Sequence, residues 1–572
     1  MDLQYHFSFL FSERTHTVLS CLLGMVALIM AFRARERAPA PDWRWIWMIG
    51  ALLTIGRWPS IWYPHQLNPD ESQLLAGVHT LRFDPVFWRS VNGMTSGPLN
   101  FYALWPMGWL LGADSYLSAR LTALALLGIA FSAVHLTVSR RYGAGVARLS
   151  ALPTLCLVSF SAHADFNHYS TELLSMALIS VAICLAARLV FDGAREAWRE
   201  VVVGFLLGCV PLAKPQAIPI AFVLGVALAA WLWWSPRSPR PDRAMRVARL
   251  VGSSLVPLGL AGAMVGWNHL GSYVWVTFWL NNRAYVESAQ MSVFHAALRL
   301  VVRTDPPSPV LWVWVASGVA FFALALPWLK TRNREERIFL GASLLLLVVA
   351  AIAVVTPRRP FPHYLMLLPV PWMLVCGGFT HRLMKRTGGG RGPMIGALAA
   401  LGGMVVLLTA VRAGMPYPLE ARFSPFSSDF SGRVTLEVRK YARPEDALTV
   451  WGWRCEYYVL AGLRQGARDA LTEGLMLPGP YRAFFRELYL SDVTNSRPVV
   501  FVDGVGPGAF YYDQRSKQGH EAVFPELAAW VGKNYRLAND IDGARIYVRE
   551  DRYREVAQRE TPSTGARLLG RK

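Results

Sequence analysis

Charge is scarce in this chain, and negative charge scarcest. Asp, Glu, Lys and Arg make up 17% of 572 residues, 38 acids stand against 58 bases, and 53% of the residues are hydrophobic. Uncharged runs near the ~20 residues that span a bilayer recur along it, which excludes an ordinary soluble protein and indicates a polytopic membrane protein. Cysteine is also sparse. Cys21, Cys156, Cys184, Cys209 and Cys376 lie within apolar segments, and Cys455 alone falls in a polar region. Neither a disulfide framework nor a CxxC zinc site follows. The N-terminus has no basic region before its first apolar run, which ends in "FRARER" rather than at small residues, so a retained anchor is expected instead of a cleaved signal. No internal repeat or long low-complexity segment appears. The nearest thing to a nucleotide loop, "DGVGPG" after "VVFV", has Gly504, Gly506 and Gly508 but neither the full glycine spacing nor a later ribose-binding acid, and reads as a turn.

The formal charge of +20 looks at first like a nucleic-acid signature. Its Arg residues, however, sit mostly in short clusters between apolar runs, where they act as topology signals, and no nucleic-acid partner is expected. Apolar runs at 16–32, 43–62, 117–138, 146–163, 171–190, 199–213, 216–234, 247–267, 309–329, 337–355, 364–380 and 393–412 predict about twelve spanning helices. Connections such as "SRRYGAGVAR", "SPRSPRPDRAMRVAR" and "KTRNREER" are basic and alternate with connections that are not, which places the basic set in the cytoplasm. Parity then makes 201–234, between two basic loops, a hairpin turning at Lys214. It puts both termini, together with 63–116, 164–170, 268–308, 356–363 and everything after about 413, outside the cytoplasm.

Three divisions follow: a transmembrane domain over 1–412 with outer loops 63–116 and 268–308, an extracytoplasmic α/β domain over 413–550, and a basic, disordered tail over 551–572. Within the α/β domain "DALTVWGW", "RPVVFVDG" and "GARIYVRE" read as strands, while "PYRAFFRELYL" and "FPELAAWVGKNY" have helical spacing.

The residues able to do chemistry gather in the outer connections. Asp70 and Glu71, in "NPDES", fit a solvated helix start, and a carboxylate there also suits a general base that deprotonates a hydroxyl. The aromatic stretch 96–121, with Tyr102, suits an interfacial helix or an aromatic belt. "SAHADFNHYSTELLSM" places Asp165 and Glu172 beside His163 and His168. An acid near lipid depth costs about 2.5–3.5 kcal/mol, so these acids should line a polar cavity. His163, Asp165 and His168 are metal-ligand types, yet helical spacing does not put all three on one face, and a divalent metal stays open. Lys214, in "PLAKPQAIP", either snorkels to a headgroup or binds an anion. Arg358, Arg359 and His363, in "TPRRPFPHYLMLLP", either anchor to headgroups or add to a phosphate cradle.

Taken in order, "NPDES", "GPLNFYALWP" with "LSARLTALAL", "DFNHYSTELL", "LAKPQA", "FPHYLMLLPVPW" and "VWGWRCEYYVLAGL" resemble the C-type (GT-C) membrane glycosyltransferases, especially the protein O-mannosyltransferase and aminoarabinose transferase branch. The likeness covers about residues 40–550. It implies a multi-pass inner-membrane enzyme that takes a sugar from a polyprenyl-phosphate donor and transfers it with inversion to an extracytoplasmic hydroxyl. The acceptor class stays open between protein, lipid A, glycolipid and polysaccharide. The resemblance makes Asp70 the base, Glu71 its orienting partner, Asp165 a second cavity acid and Lys214 a phosphate contact; the reading of the residues themselves adds Arg358, Arg359 and His363 to the phosphate site and sets His168, Glu172 and Tyr102 along the cavity. Many relatives carry a basic residue or His before a Pro-Pro-Leu where this chain has "TSGPL", and the first span is extra. Two rival readings stand beside it: a transporter or flippase of a lipid-linked or anionic substrate, for which inverted repeats and broken helices in matching halves are missing, and a membrane scaffold carrying a binding domain.

Overall fold

A computed structural model describes residues 13–32, 42–161, 163–193, 196–234, 240–302, 333–386, 428–507 and 509–560. The chain divides into two compact units, one of Met1–Asn68, Met94–Gly271 and Tyr285–Ala421, the other of Pro69–Gly93, Ser272–Ala284 and Arg422–Lys572.

Among its described residues the first unit is helical. The apolar runs fall on Glu13–Phe32, Trp43–Gly56 with Trp58–Trp62, Tyr116–Tyr142, Ala144–Phe160, Thr171–Phe191, Ala197–Ala213, Ile218–Trp234, Arg240–Trp267, Arg334–Val355 and Pro369–Arg386. The runs expected at 309–329 and 393–412 lie outside the described residues. By length and composition 5 described helices suffice to cross a membrane. One of them, Asp242–Trp267, exposes Val251, Leu255, Val256, Leu258 and Leu260, as a helix bathed in lipid does.

Local chemistry sets the boundaries. Ser115 and Ser118 form a reciprocal capping box that opens Tyr116–Tyr142, and Gly143 at φ +94° closes it. The extra first helix is held near both ends: His16 Nε2 lies 2.7 Å from the Ile55 carbonyl, and Arg148 donates to the Met30 carbonyl at 2.6 Å. Arg148 also pairs with Asp42 at 2.7 Å, so this buried guanidinium is balanced.

The second unit contains a five-stranded sheet in the order β2-β1-β3-β5-β4. Its strands are β1 (Ala447–Trp451), β2 (Arg464–Gln465), β3 (Val500–Asp503), β4 (Tyr535–Ile541) and β5 (Ala544–Arg549). The first three run parallel, while β5 is antiparallel to both β3 and β4. Every residue of β1 and β3 is buried, as expected of parallel strands covered on both faces. β4, which the strand reading above passes over, is an edge strand with Tyr535 alone buried and without clean alternation. Its signal was the Asp-Gly turn into β5, where Asp542 and Gly543 both take positive φ.

Two excursions of the chain join this sheet. From the first, Thr80 Oγ1 accepts from the Gln465 amide at 3.0 Å, and Asn92 meets Asp469 at 2.6 Å. From the second, Tyr273 lies under the Arg468 guanidinium at 4.6 Å. At the far end, Glu550–Glu560 is helical, over residues where composition predicts a disordered tail. Arg552 pairs with Asp446 at 3.3 Å and Arg443 with Glu555 at 2.9 Å, so this helix is fastened by charges that composition alone reads as solvated. Residues 561–572 lie outside the described residues.

Candidate active site

Pro215 disfavours helical geometry at the residue before it, and Lys214 is extended at φ −144°, ψ 112° between Ala197–Ala213 and the turn Pro215–Ala217. The helix therefore breaks where the hairpin was expected. Its last carbonyls would be left open, and "SGPLN" closes them: Gly97 N–H and Asn100 Nδ2 donate to the Ala213 carbonyl at 2.9 and 2.7 Å. A Cβ on Gly97 would lie 2.0 Å from the Leu212 carbonyl oxygen. The glycine that departs from the related pattern is thus required by this close approach. Tyr169 in turn donates to the Asn100 carbonyl at 3.0 Å.

Lys214 is buried, with 4% of its surface exposed. Its ammonium pairs with Glu172 Oε1 at 2.9 Å, donates to Thr171 Oγ1 at 2.7 Å and lies 5.5 Å from the centre of the Tyr364 ring. An ammonium has three donors, and these two oxygens engage two of them. Glu172 Oε2 is buried and takes no hydrogen bond from the described residues.

A second pair lies beside it. Asp165 sits in the short helix Ala164–Asn167, where His163 Nδ1 accepts from the Asp165 amide at 3.2 Å. Asn68 Nδ2 donates to Asp165 Oδ1 at 2.8 Å, and His363 Nδ1 lies 3.3 Å from Oδ2. The His168 and His363 rings are 5.8 Å apart. Burial by itself would raise the Asp165 carboxyl, but the His363 hydrogen bond and the imidazoles of His363, His163 and His168 outweigh it and hold the carboxyl well below the usual range. Among the described residues no three His, Cys, Asp or Glu side chains are grouped to hold a metal ion.

The first unit therefore gathers Asp165, His168, Glu172, Lys214 and His363. Arg359 stacks on Tyr285 at 4.2 Å and reaches Ser288 at 3.3 Å; Arg358 is exposed at φ +55°; Tyr102 packs edge-on against Trp105 at 5.0 Å. Asp70 and Glu71 belong to the second unit, in the first turn of Pro69–Leu81, with Glu71 fully buried. Burial, then the charges of Glu456 and Asp70, push the Cys455 thiol well above its usual range, which leaves it inert.

Sequence reasoning missed three supports. Asn68 reads as a helix cap and instead holds Asp165. Thr171 reads as helix start and holds Lys214. Arg120, in "LSARL", is buried and donates to the carbonyls of Ser60 at 2.8 Å, His65 at 2.5 Å and Tyr63, fixing the segment that leads to Asn68. A charge within an apolar run was the available signal for Arg120.

No family profile and no curated protein matches the chain by sequence. Solved structures do match in fold. ArnT from Cupriavidus metallidurans bound to undecaprenyl phosphate aligns at a TM-score of 0.54 and 15% identity, over 88% of this chain and 98% of that one. Its apo state aligns at 0.52 and 15%, over 89% and 98%. An Archaeoglobus fulgidus oligosaccharyltransferase aligns at 0.46 and 13%, over 80% of this chain and 68% of its own. ArnT is an aminoarabinose transferase, and this chain shares its fold.

Proposed function

On that fold, we propose that the chain transfers a sugar from a polyprenyl-phosphate donor to an acceptor hydroxyl outside the cytoplasm, with inversion at the anomeric carbon. The observation that carries this reading is the buried Lys214 ammonium at a proline-enforced helix break, in a fold shared with a protein bound to undecaprenyl phosphate. A buried cation with one donor to spare suits a phosphate oxygen. Asp70 is proposed as the base, with Glu71 orienting it and Asp165 as a second acid.

In the reaction the acceptor oxygen attacks the anomeric carbon from the face opposite the phosphate. The new carbon–oxygen bond forms as the sugar–phosphate bond breaks, the hydroxyl proton passes to Asp70, and the phosphate leaves with the bonding pair. Charge grows on that phosphate through the transition state, where a fixed ammonium in a water-poor site stabilises it most. His363 hydrogen-bonds to Asp165 and keeps its carboxyl ionised. The lipid carrier reaches such a site through the bilayer, so the missing nucleotide loop is no obstacle. The acceptor class and the placement in an inner membrane with both termini outside are part of this proposal.

The test is a reconstituted assay with a purified labelled polyprenyl-phosphate sugar and candidate acceptors. Label in the acceptor supports transfer, whereas unchanged donor crossing the vesicle membrane supports a transporter. Asp70→Asn is expected to bind donor normally and lose at least about 100-fold in turnover; full turnover removes Asp70 as base. Lys214→Ala is expected to weaken donor binding by about 10-fold or more, and unaltered affinity removes the phosphate role.

A further inference from the structure

The sheet of the α/β domain reverses its winding between β1 and β3. From β1 the chain passes through Glu456–Ala461 to β2 on one side, then crosses through Arg482–Ser496 to β3 on the other. Where parallel strands reverse in this way, the loops leaving the two strands diverge and a ligand crevice opens beyond their carboxyl ends. Here the described parts of those loops are 452–455, 504–507 and 509–513.

Arg454 is buried, pairs with Glu456 at 3.4 Å and donates to the Pro507 carbonyl at 3.3 Å, which ties one loop to the other. Gly504 makes room for it, since a Cβ there would lie 2.9 Å from Arg454 Cγ. Above this strut stand three aromatic rings. Trp453 meets Phe510 edge-on at 5.0 Å, and Tyr511 lies 4.2 Å from Phe510 and 6.3 Å from Trp453.

Trp453 packs in part against the domain core, and two further features mark these rings. Tyr511 is 63% exposed and takes a left-handed φ of +61°, an unfavourable backbone for a bulky side chain that gains little burial from it. Trp453 Nε1 is buried and makes no hydrogen bond with the described residues. The rim adds exposed Asp513, Gln514 and Lys517. Flat aromatic faces, an indole donor and a polar rim match a ligand with an apolar C–H face and hydroxyls at its edges. An acyl chain would leave the donor and the rim unused.

We propose that this crevice binds a hexopyranose unit, and that the unit belongs to the acceptor glycan. The second clause rests on the transferase function proposed above; the first does not. The crevice then selects the acceptor through a sugar already on it.

The full chain in lipid nanodiscs is tested by saturation-transfer NMR against methyl hexopyranosides of gluco, galacto and manno configuration. Transfer to the ring protons of at least one is expected. Tyr511→Ala and Trp453→Phe, which keeps a ring and removes the N–H, are each expected to cut it at least fivefold, and Lys214→Ala to leave it unchanged. The proposal is overturned by the absence of transfer from all three sugars, or by full transfer in both aromatic variants. Binding that passes these tests in a chain that moves no sugar from donor to acceptor keeps the crevice and removes the transferase. Transfer at the unaltered acceptor KM in the Tyr511→Ala variant keeps the transferase and removes the crevice from acceptor selection.

Discussion

At the scale of the residue, Asp469 shows what burial does to a carboxyl. Burial first, then the charge of Asp492, push it up to about 7, against the opposing pull of the Asn92 hydrogen bond and Arg468. The folded chain holds this proton more tightly than the unfolded chain does. Its contribution to stability is therefore complete below the unfolded value of 3.8 and is lost as the pH climbs towards about 7. The loss is of order 4 kcal/mol at most. Asp469→Asn keeps an acceptor for Asn92 and carries no charge. Calorimetry on the full chain should show the midpoint of the α/β domain falling between pH 5 and pH 8 in the unaltered protein, and a flatter profile with a higher midpoint at pH 8 in the variant. Identical profiles would place the ionised carboxylate comfortably in its site.

Among the elements, the hairpin at Lys214 was the most legible from sequence. Two basic loops flanking 201–234 demanded an out-and-back path, and "AKP" supplied the stop; the structure breaks the helix at that residue. Asp165 and Glu172 were legible because acids are costly near lipid. Their partners were not, since Asn68 and His363 reach Asp165 from far along the chain and no spacing encodes that meeting. β4 escaped because this edge strand has no alternation to read. "TSGPL" lacks the cation that many relatives carry before Pro-Pro-Leu, and its Gly97 answers to a close backbone approach instead. Gly97→Ala should push the 96–100 segment off the Leu212 and Ala213 carbonyls, cost about 2–3 kcal/mol and weaken donor binding through the displaced turn. Thermal unfolding and a donor titration measure the two effects, and a variant normal in both would show that the hairpin does not need this packing.

For the whole molecule, the sequence's division at residue 412 and the structure's division differ in kind. Composition marks where the chain stops being apolar, while the sheet also recruits Pro69–Gly93 and Ser272–Ala284, which composition assigns to loops. Recruitment of that sort depends on contacts such as Asn92 with Asp469, across several hundred residues of chain. The charge pattern makes its own claim. If the basic loops face the cytoplasm, Cys introduced at exposed Ala244 should react with an impermeant maleimide only after the cell membrane is opened, and Cys at exposed Lys517 should react in intact cells. The reverse pattern would invert the topology and move the proposed chemistry to the other compartment.

The Lys214–Glu172 pair bears on how a catalytic cycle ends. A cation that already owns a tethered anion takes up a phosphate by exchange, and the same carboxylate stands ready to reclaim it. On the proposed transferase reading, Lys214 would therefore hold the carrier less tightly and release the spent lipid more readily.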